Sequence, residues 1–421
     1  MTTRGIRMLL SLALPALLLA GTATTSALGE APNEVRFATF NASLNRRSEG
    51  ALIADLSTPD NAQAQTVAEI IQRSRPDVLL INEFDFDENG TAAQLFQDNY
   101  LSIGQGGADP IVYPHRFVAP SNTGVASGFD LDNNGVVGST VGTAAYANDS
   151  FGFGFFPGQF GMAVYSMFPI DEDAVRTFQL FLWKDMPGAL LPDDPATPEP
   201  ADWYSPEELE VFRLSSKSHW DVPIEIGRKT VHFLVSHPTP PVFDDPPAFP
   251  EGVDFNGRRN HDEIRFWADY VLPSRSGYIV DDEGNRGGLP AGALFVIAGD
   301  QNSDPFDGDS IPGSAQLLLE HPLVNTKVTP ASEGAVEQAA LQGGANDAHV
   351  GDPAFDTADF SDVAPGNLRA DYVLPRKNMK FEDAAVFWPT TDDPLFPLVG
   401  TFPFPSSDHR LVWVDARVPS A

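Results

Sequence analysis

The chain of 421 residues contains no cysteine. Disulfides, a thiolate nucleophile, cysteine-ligated zinc and iron–sulfur clusters are therefore excluded outright. Positive charge is scarce: 26 Lys and Arg stand against 58 Asp and Glu, a net charge of −32 at pH 7. No broad cationic face can form to displace counterions from a phosphate backbone, so a duplex nucleic-acid partner is disfavoured, although high salt would screen much of that repulsion. Long apolar runs are missing too. The run at Met8–Ala20 is too short to cross a bilayer, and no later stretch is apolar enough.

That first run has its own meaning. Arg4 and Arg7 precede it and the small-residue stretch GTATTSA (Gly21–Ala27) follows. This is the layout of a secretory signal peptide, so residues 1–27 are expected to be removed and the mature protein exported. No membrane insertion is expected of the rest. An exported chain without disulfides must rely on its core, and 42% hydrophobic residues suffice for one. No composition shift marks a linker. The reading is one domain, 34–420, with long loop insertions.

Short apolar runs alternate with a few helical patterns. VRFATFN (Val35–Asn41) and DVLLINEFD (Asp77–Asp85) read as strands. So do FGMAVYSMFPI, TVHFLVSHP, GALFVIAGD, RADYVLP and LVWVDARV (Leu411–Val418). Between the first two, Ala64, Val67, Ile70 and Ile71 fall on one helix face, and the pre-proline position of Arg75 ends that helix. Pro- and Gly-rich loops at Asp185–Pro206, Thr239–Gly257, Gly284–Gly292 and Gln342–Gly366 forbid long regular elements.

Polar residues abut these strands repeatedly: Asn41, Glu83, His237, Asp300 with Asn302, Asp371, and Asp408 with His409. In a sheet-based domain such positions converge on one rim, where ligands bind. Carboxylates and amides without thiols suit Mg²⁺, Mn²⁺ or Ca²⁺ rather than zinc. Each residue also has a plainer reading. Asn41 could cap a turn, Asp300 and Asn302 could form an Asx-turn, and Asp371 could pair with Arg369.

The motifs TFN, INE, SHPTPP, GDQN, DYVL and SDH, in this order, resemble the endonuclease/exonuclease/phosphatase superfamily over Val35 to about Val418. Any one tripeptide is weak; six in order at strand edges are a specific signal. The resemblance implies an α/β four-layer sandwich, with two central mixed sheets face to face and helices outside, and in-line hydrolysis of a phosphate ester by a metal-assisted water. It implies Glu83 as principal metal ligand, helped by Asn41 and Asp408. Asp300 would orient or deprotonate the water and Asn302 would hold a phosphate oxygen. His409, oriented by Asp371, would contact the phosphoryl group or act as base, and His237 would help protonate the leaving oxygen. The partner expected is a small or medium phosphate ester. An extracellular nuclease is the alternative within the same chemistry, and a non-catalytic binding protein on a retired fold the alternative outside it.

Two further stretches are candidates for other roles. NGRRNHDEIRFWADYV (Asn256–Val271) becomes amphipathic after a basic front, and Arg258 and Arg259 there are candidates for binding an anionic substrate group; the alternative is a solvated first turn paired with nearby Asp. DLDNNGVVGSTV (Asp130–Val141) has Asp130, Asp132 and Asn134 at the first, third and fifth positions of an EF-hand-like calcium loop, with Gly135 sixth. Val141 stands where the bidentate Glu should be, so a structural Ca²⁺ would need a ligand from elsewhere, and a simple turn is the alternative.

Overall fold

Along the first strand the side chains divide between two cores. Val35 and Phe37 enter one apolar cluster, while Ala38 and Phe40 enter another on the opposite face. The period of two that sends alternate residues to opposite faces makes this division, and apolar residues at both parities require both faces to be covered. The computed structural model describes residues 34–419 except Asp245 and Pro247. The expected signal peptide, 1–27, lies outside the described residues.

In chain order the strands are β1 (Glu34–Asn41), β2 (Val78–Asn82), β3 (His115–Phe117), β4 (Met162–Ser166), β5 (Arg176–Thr177), β6 (His219–Ile226), β7 (Lys229–Ser236), β8 (Leu294–Asp300), β9 (Ala358–Asp359), β10 (Asn367–Leu368), β11 (Asp371–Pro375), β12 (Lys380–Val386) and β13 (Val412–Arg417). One sheet runs β12-β13-β1-β2-β4-β3 and the other β11-β8-β7-β6-β5; β9 and β10 form a small ribbon. Each large sheet is mixed: β1 pairs parallel with β2, and β7 parallel with β8, while the other pairs are antiparallel.

The sheets meet face to face over Phe37, Val78, Leu80, Val164, Trp220, Phe233, Val296 and Val414. Phe37 and Phe233 touch across this interface with ring centroids 5.9 Å apart. Outside the first sheet, Leu79 and Ile81 pack with Val67 and Ile71 of the Ala62–Ser74 helix. Outside the second, Leu234, Phe295 and Ile297 pack with Ile264, Trp267 and Tyr270 of the Phe255–Tyr270 helix. The four-layer sandwich expected from the resemblance is what forms. The Ala62–Ser74 helix starts where Asn61 accepts the Ala64 N–H, and ends where Arg75 turns left-handed at φ 54°.

Strands β3, β5, β6, β9, β10 and β12 escape the sequence reading. In HWDVPIEI the polar positions are buried because Asp221 accepts from His232 and from the Tyr270 hydroxyl, which hides the strand's alternation. Three long-range contacts then fix the strand ends. Asn82, fully buried, accepts the Asp300 N–H at 3.2 Å and the Thr39 hydroxyl at 3.2 Å, and donates to the Ser236 carbonyl at 3.3 Å. It thereby ties β1 and β2 of one sheet to β7 and β8 of the other.

Gly299 permits the parallel approach of β7 and β8. Its φ is 144°, and a Cβ there would lie 2.1 Å from the Ser236 carbonyl oxygen. Gly299→Ala is expected to destabilise the protein by at least ~2 kcal/mol through strain and backbone displacement. A fall in the urea midpoint reads this; an unchanged midpoint would show that the strands part at no cost.

Candidate active site

The ends of β1, β2, β7, β8 and β11, with the loop before β13, place Asn41, Glu83, His237, Asp300, Asn302, Asp371, Asp408 and His409 in one cluster. Asp300 is its centre. One carboxylate oxygen accepts the Asn302 N–H at 2.9 Å. The other accepts from the Asn41 amide at 3.1 Å and faces His237 Nε2 at 3.3 Å and His409 Nε2 at 3.7 Å. Burial alone would raise the Asp300 pKa, but the neighbouring His409 and His237 and the Asn41 amide outweigh it and hold the group ionised, below the usual carboxylate range.

The two imidazoles are driven apart. His409 donates from Nδ1 to Asp371 at 2.8 Å, and the Thr357 hydroxyl donates to the same oxygen at 2.8 Å. Burial opposes a charge on His409, yet Asp371 and then Asp300 hold its pKa well above the ordinary value. His237 is pushed down to about 4, first by burial and then by the Lys217 cation, against the pull of Asp300. At neutral pH one ring is a cation and the other is neutral. Asp371 does not pair with Arg369, whose guanidinium lies over the Tyr372 ring at 4.7 Å.

Glu83 follows the last residue of β2 and adopts a left-handed φ of 57°. For a residue with a Cβ that conformation costs about 1–2 kcal/mol, and strain of this kind concentrates at sites of function. Both its oxygens receive amides, from Asn41 at 3.1 Å and Asn45 at 2.8 Å. Its pKa is raised, first by burial and then by the negative charge of Asp408. Glu83 and Asp408 are both half-buried and near enough for the charge of one to act on the other, and their all-oxygen character suits Mg²⁺, Mn²⁺ or Ca²⁺. Asp300, Asp371 and His409 also bring one ligand atom each within 4.8 Å of one another. There, however, the His409 nitrogens are already directed to the two carboxylates, which is the arrangement of a proton-handling group.

The other candidates have partners that the sequence did not show. Asn41 presents its amide nitrogen to Glu83 and Asp300 while its oxygen accepts the Ser43 N–H at 3.2 Å, so it ties the two carboxylates together. Arg259 is buried, and its guanidinium donates to the carbonyls of Leu214, Phe151 and Arg213, so it anchors the helix and is not free for substrate. Arg258 is half-buried and lies near Asp254, whose pKa its charge lowers against burial and Asp244. Asn134 turns its side-chain oxygen to the Val136 N–H, and the third carboxylate beside Asp130 and Asp132 is Asp149, with oxygens within 4.8 Å of one another.

Lys217 was not among the sequence candidates. It precedes β6 and is buried, and its charge acts on Glu83, Asp300 and His237. Burial lowers its pKa, although Glu263, Glu83 and Asp300 oppose that. Thr357 and Asn45 were missed as well. Nothing in SSKSHW, FDTADF or NASLN distinguishes such residues from ordinary loop side chains.

Because the folded-state pKa of His409 lies above 6.5, its charge contributes stability fully below about pH 6.5, and this is lost as pH rises through the raised value. Asp371→Asn removes the largest charge sustaining it. The His409 titration midpoint, followed by NMR of the ring, is expected to fall by at least about one unit. An unmoved midpoint would remove the pair as the cause.

The model of the Endonuclease/Exonuclease/phosphatase family matches residues 38–409. The comparison with curated proteins gives no match. Among solved structures, an endonuclease/exonuclease/phosphatase from Beutenbergia cavernae is 15% identical, with 92% of this chain and 72% of that chain covered and a TM-score of 0.48. A family protein from Leptotrichia buccalis is 14% identical, with 91% and 100% covered and a TM-score of 0.44. Sphingomyelinase C from Streptomyces griseocarneus is 14% identical, with 91% and 99% covered and a TM-score of 0.41. The chain belongs to the Endonuclease/Exonuclease/phosphatase family, and is a metal-dependent phosphoric ester hydrolase.

Proposed function

We propose that this is an exported, Mg²⁺- or Mn²⁺-dependent enzyme that hydrolyses a small or moderately sized phosphate mono- or diester. The observation that supports the reading best is Asp300: an ionised carboxylate held between a cationic and a neutral imidazole, beside Glu83 on the shared Asn41 amide. Such a group accepts a proton from water and aims the water's lone pair at phosphorus. Cationic His409 faces the phosphoryl oxygens or gives its Nε2 proton to the departing oxygen, and Asp371 holds the ring and its charge in place. Neutral His237 acts as a positioning residue for Asp300.

Asn302, left-handed at φ 49°, spends one amide hydrogen on the Pro238 carbonyl and keeps the other for a phosphate oxygen. Lys217 adds positive charge from the β6 side. Glu83 and Asp408 would hold the divalent ion, which supplies further positive charge to the non-bridging oxygens.

The mature protein is expected to hydrolyse bis-p-nitrophenyl phosphate, to stop on chelation and to recover with Mg²⁺ or Mn²⁺. His409→Ala and Asp300→Ala should each lower kcat by about 10²-fold or more, since proton transfer and water orientation are lost while binding survives. Undiminished hydrolysis after chelation and in Glu83→Ala would overturn the metal mechanism. The charge of −32 argues against a nuclease, and plasmid nicking in any salt would restore that reading.

A further inference from the structure

Strands β1 and β13 pair as far as Thr39 and Val412, and past that point their ladder ends. The two loops that continue from there carry the expected metal ligands and their supports. The loop after β1 holds Asn41 and Asn45, whose amides donate to the two oxygens of Glu83 at 3.1 and 2.8 Å. The loop before β13 holds Asp408, with His409 beside it. With no ladder between them, side chains must set their spacing.

Gln63, the second residue of the Ala62–Ser74 helix, reaches both loops. Its side-chain amide donates to the Ser43 carbonyl at 2.9 Å and to the Ser406 carbonyl at 2.9 Å, and meets the Ala42 carbonyl at 3.4 Å. Beside it the hydroxyls of Ser43 and Ser407 meet at 3.0 Å, and they lie 3.5 and 3.4 Å from the same Asp408 oxygen. Ser407 also accepts the His409 N–H at 3.1 Å, and Ser43 holds its place at a left-handed φ of 49°. Ser406 and Ser407 are buried.

A glutamine in a first helical turn has a plain use, since loop carbonyls nearby need donors. What sets Gln63 apart is which carbonyls it takes. One belongs to the residue midway between Asn41 and Asn45, and the other to the residue two before Asp408. Without the amide those carbonyls lose their donor, and the two loops are free to part. Divalent ions differ in how far they tolerate that. Mg²⁺ demands near-ideal octahedral geometry at about 2.0–2.1 Å, whereas Ca²⁺ accepts flexible arrangements at about 2.3–2.6 Å. A spacing that cannot drift is therefore worth more to Mg²⁺.

Resting on the reading of Glu83 and Asp408 as the metal ligands, we propose that Gln63 is a positioning residue for the divalent ion. Its amide clasps the Ser43 and Ser406 loops together, fixes the separation of Glu83 from Asp408, and makes the site select Mg²⁺ over Ca²⁺.

Metal binding to the full mature protein is read by calorimetry, apart from turnover. Gln63→Ala is expected to weaken Mg²⁺ binding at least tenfold and Ca²⁺ binding by no more than about threefold. At saturating Mg²⁺ its kcat should fall by no more than about threefold. Gln63→Lys, which supplies N–H donors of similar reach, should recover most of the Mg²⁺ affinity; Gln63→Glu, which supplies none, should not. Amide exchange in metal-free protein gives a second measure. The Ser43 and His409 N–H groups should exchange at least tenfold faster in Gln63→Ala, while those of β7 and β8 keep their rates and show an intact fold. Unchanged Mg²⁺ affinity, equal weakening of both ions, recovery in Gln63→Glu, or unchanged exchange would each overturn the proposal. If Glu83→Ala bound Mg²⁺ as tightly as wild type, the metal reading would fall and the ion selection with it. The exchange rates would still say whether Gln63 holds the loops together.

Discussion

Two buried asparagine amides join the halves of the sandwich at the end where the chemistry sits, and the site depends on both. Asn82 reaches from β2 to the backbone of β7 and β8. Asn41 lies between Glu83, which follows β2, and Asp300, at the end of β8. An apolar side chain at either position could fill the space but would leave backbone groups or carboxylates without partners in a dry interface, where an unmet polar group costs about 1–3 kcal/mol. The hydrophobic interface between the sheets is not directional. These amides set how far one sheet slides along the other, and hence how far the two sets of catalytic groups stand apart.

What those amides hold in place is electrostatically tense. Four carboxylates, from Glu83, Asp300, Asp371 and Asp408, share the site with two imidazoles and a buried lysine. The tension separates the roles of otherwise similar groups. His409 gains a carboxylate at each ring nitrogen and keeps its proton; His237 has Asp300 on one side, no partner at Nδ1 and Lys217 nearby, and loses its proton. Burial and then the charge of Asp408 raise the pKa of Glu83, a strain that a hard cation would relieve. Identical residue types thus become acid, positioning group and ligand set through what surrounds them.

Much of this was legible in the chain. Strands covered on both faces read as continuous apolar runs, and a polar residue that ends such a run has few structural reasons to be there. That is why Glu83, Asp300 and His409 stood out, and why six short motifs in order indicated both family and architecture. Arg259 misled because a basic residue in an acidic chain invites a functional reading, whereas its guanidinium satisfies three carbonyls that no local pattern predicts to be unpaired. Lys217, Thr357 and Asn45 were invisible for the complementary reason: their neighbours lie far away in sequence, and nothing in their own segments marks them.

The sequence by itself determined the layers, since the parity of apolar residues along each strand settles which faces must be buried, and it determined the main chemistry-bearing groups, since those groups interrupt that parity. Tertiary structure alone decided which nitrogen of which histidine meets which carboxylate, and that Asn41 turns its amide nitrogen to both Glu83 and Asp300. Burial is an averaged property that a local pattern can encode. Distances between groups hundreds of residues apart, and the pKa shifts that follow from them, arise only once the two sheets have closed.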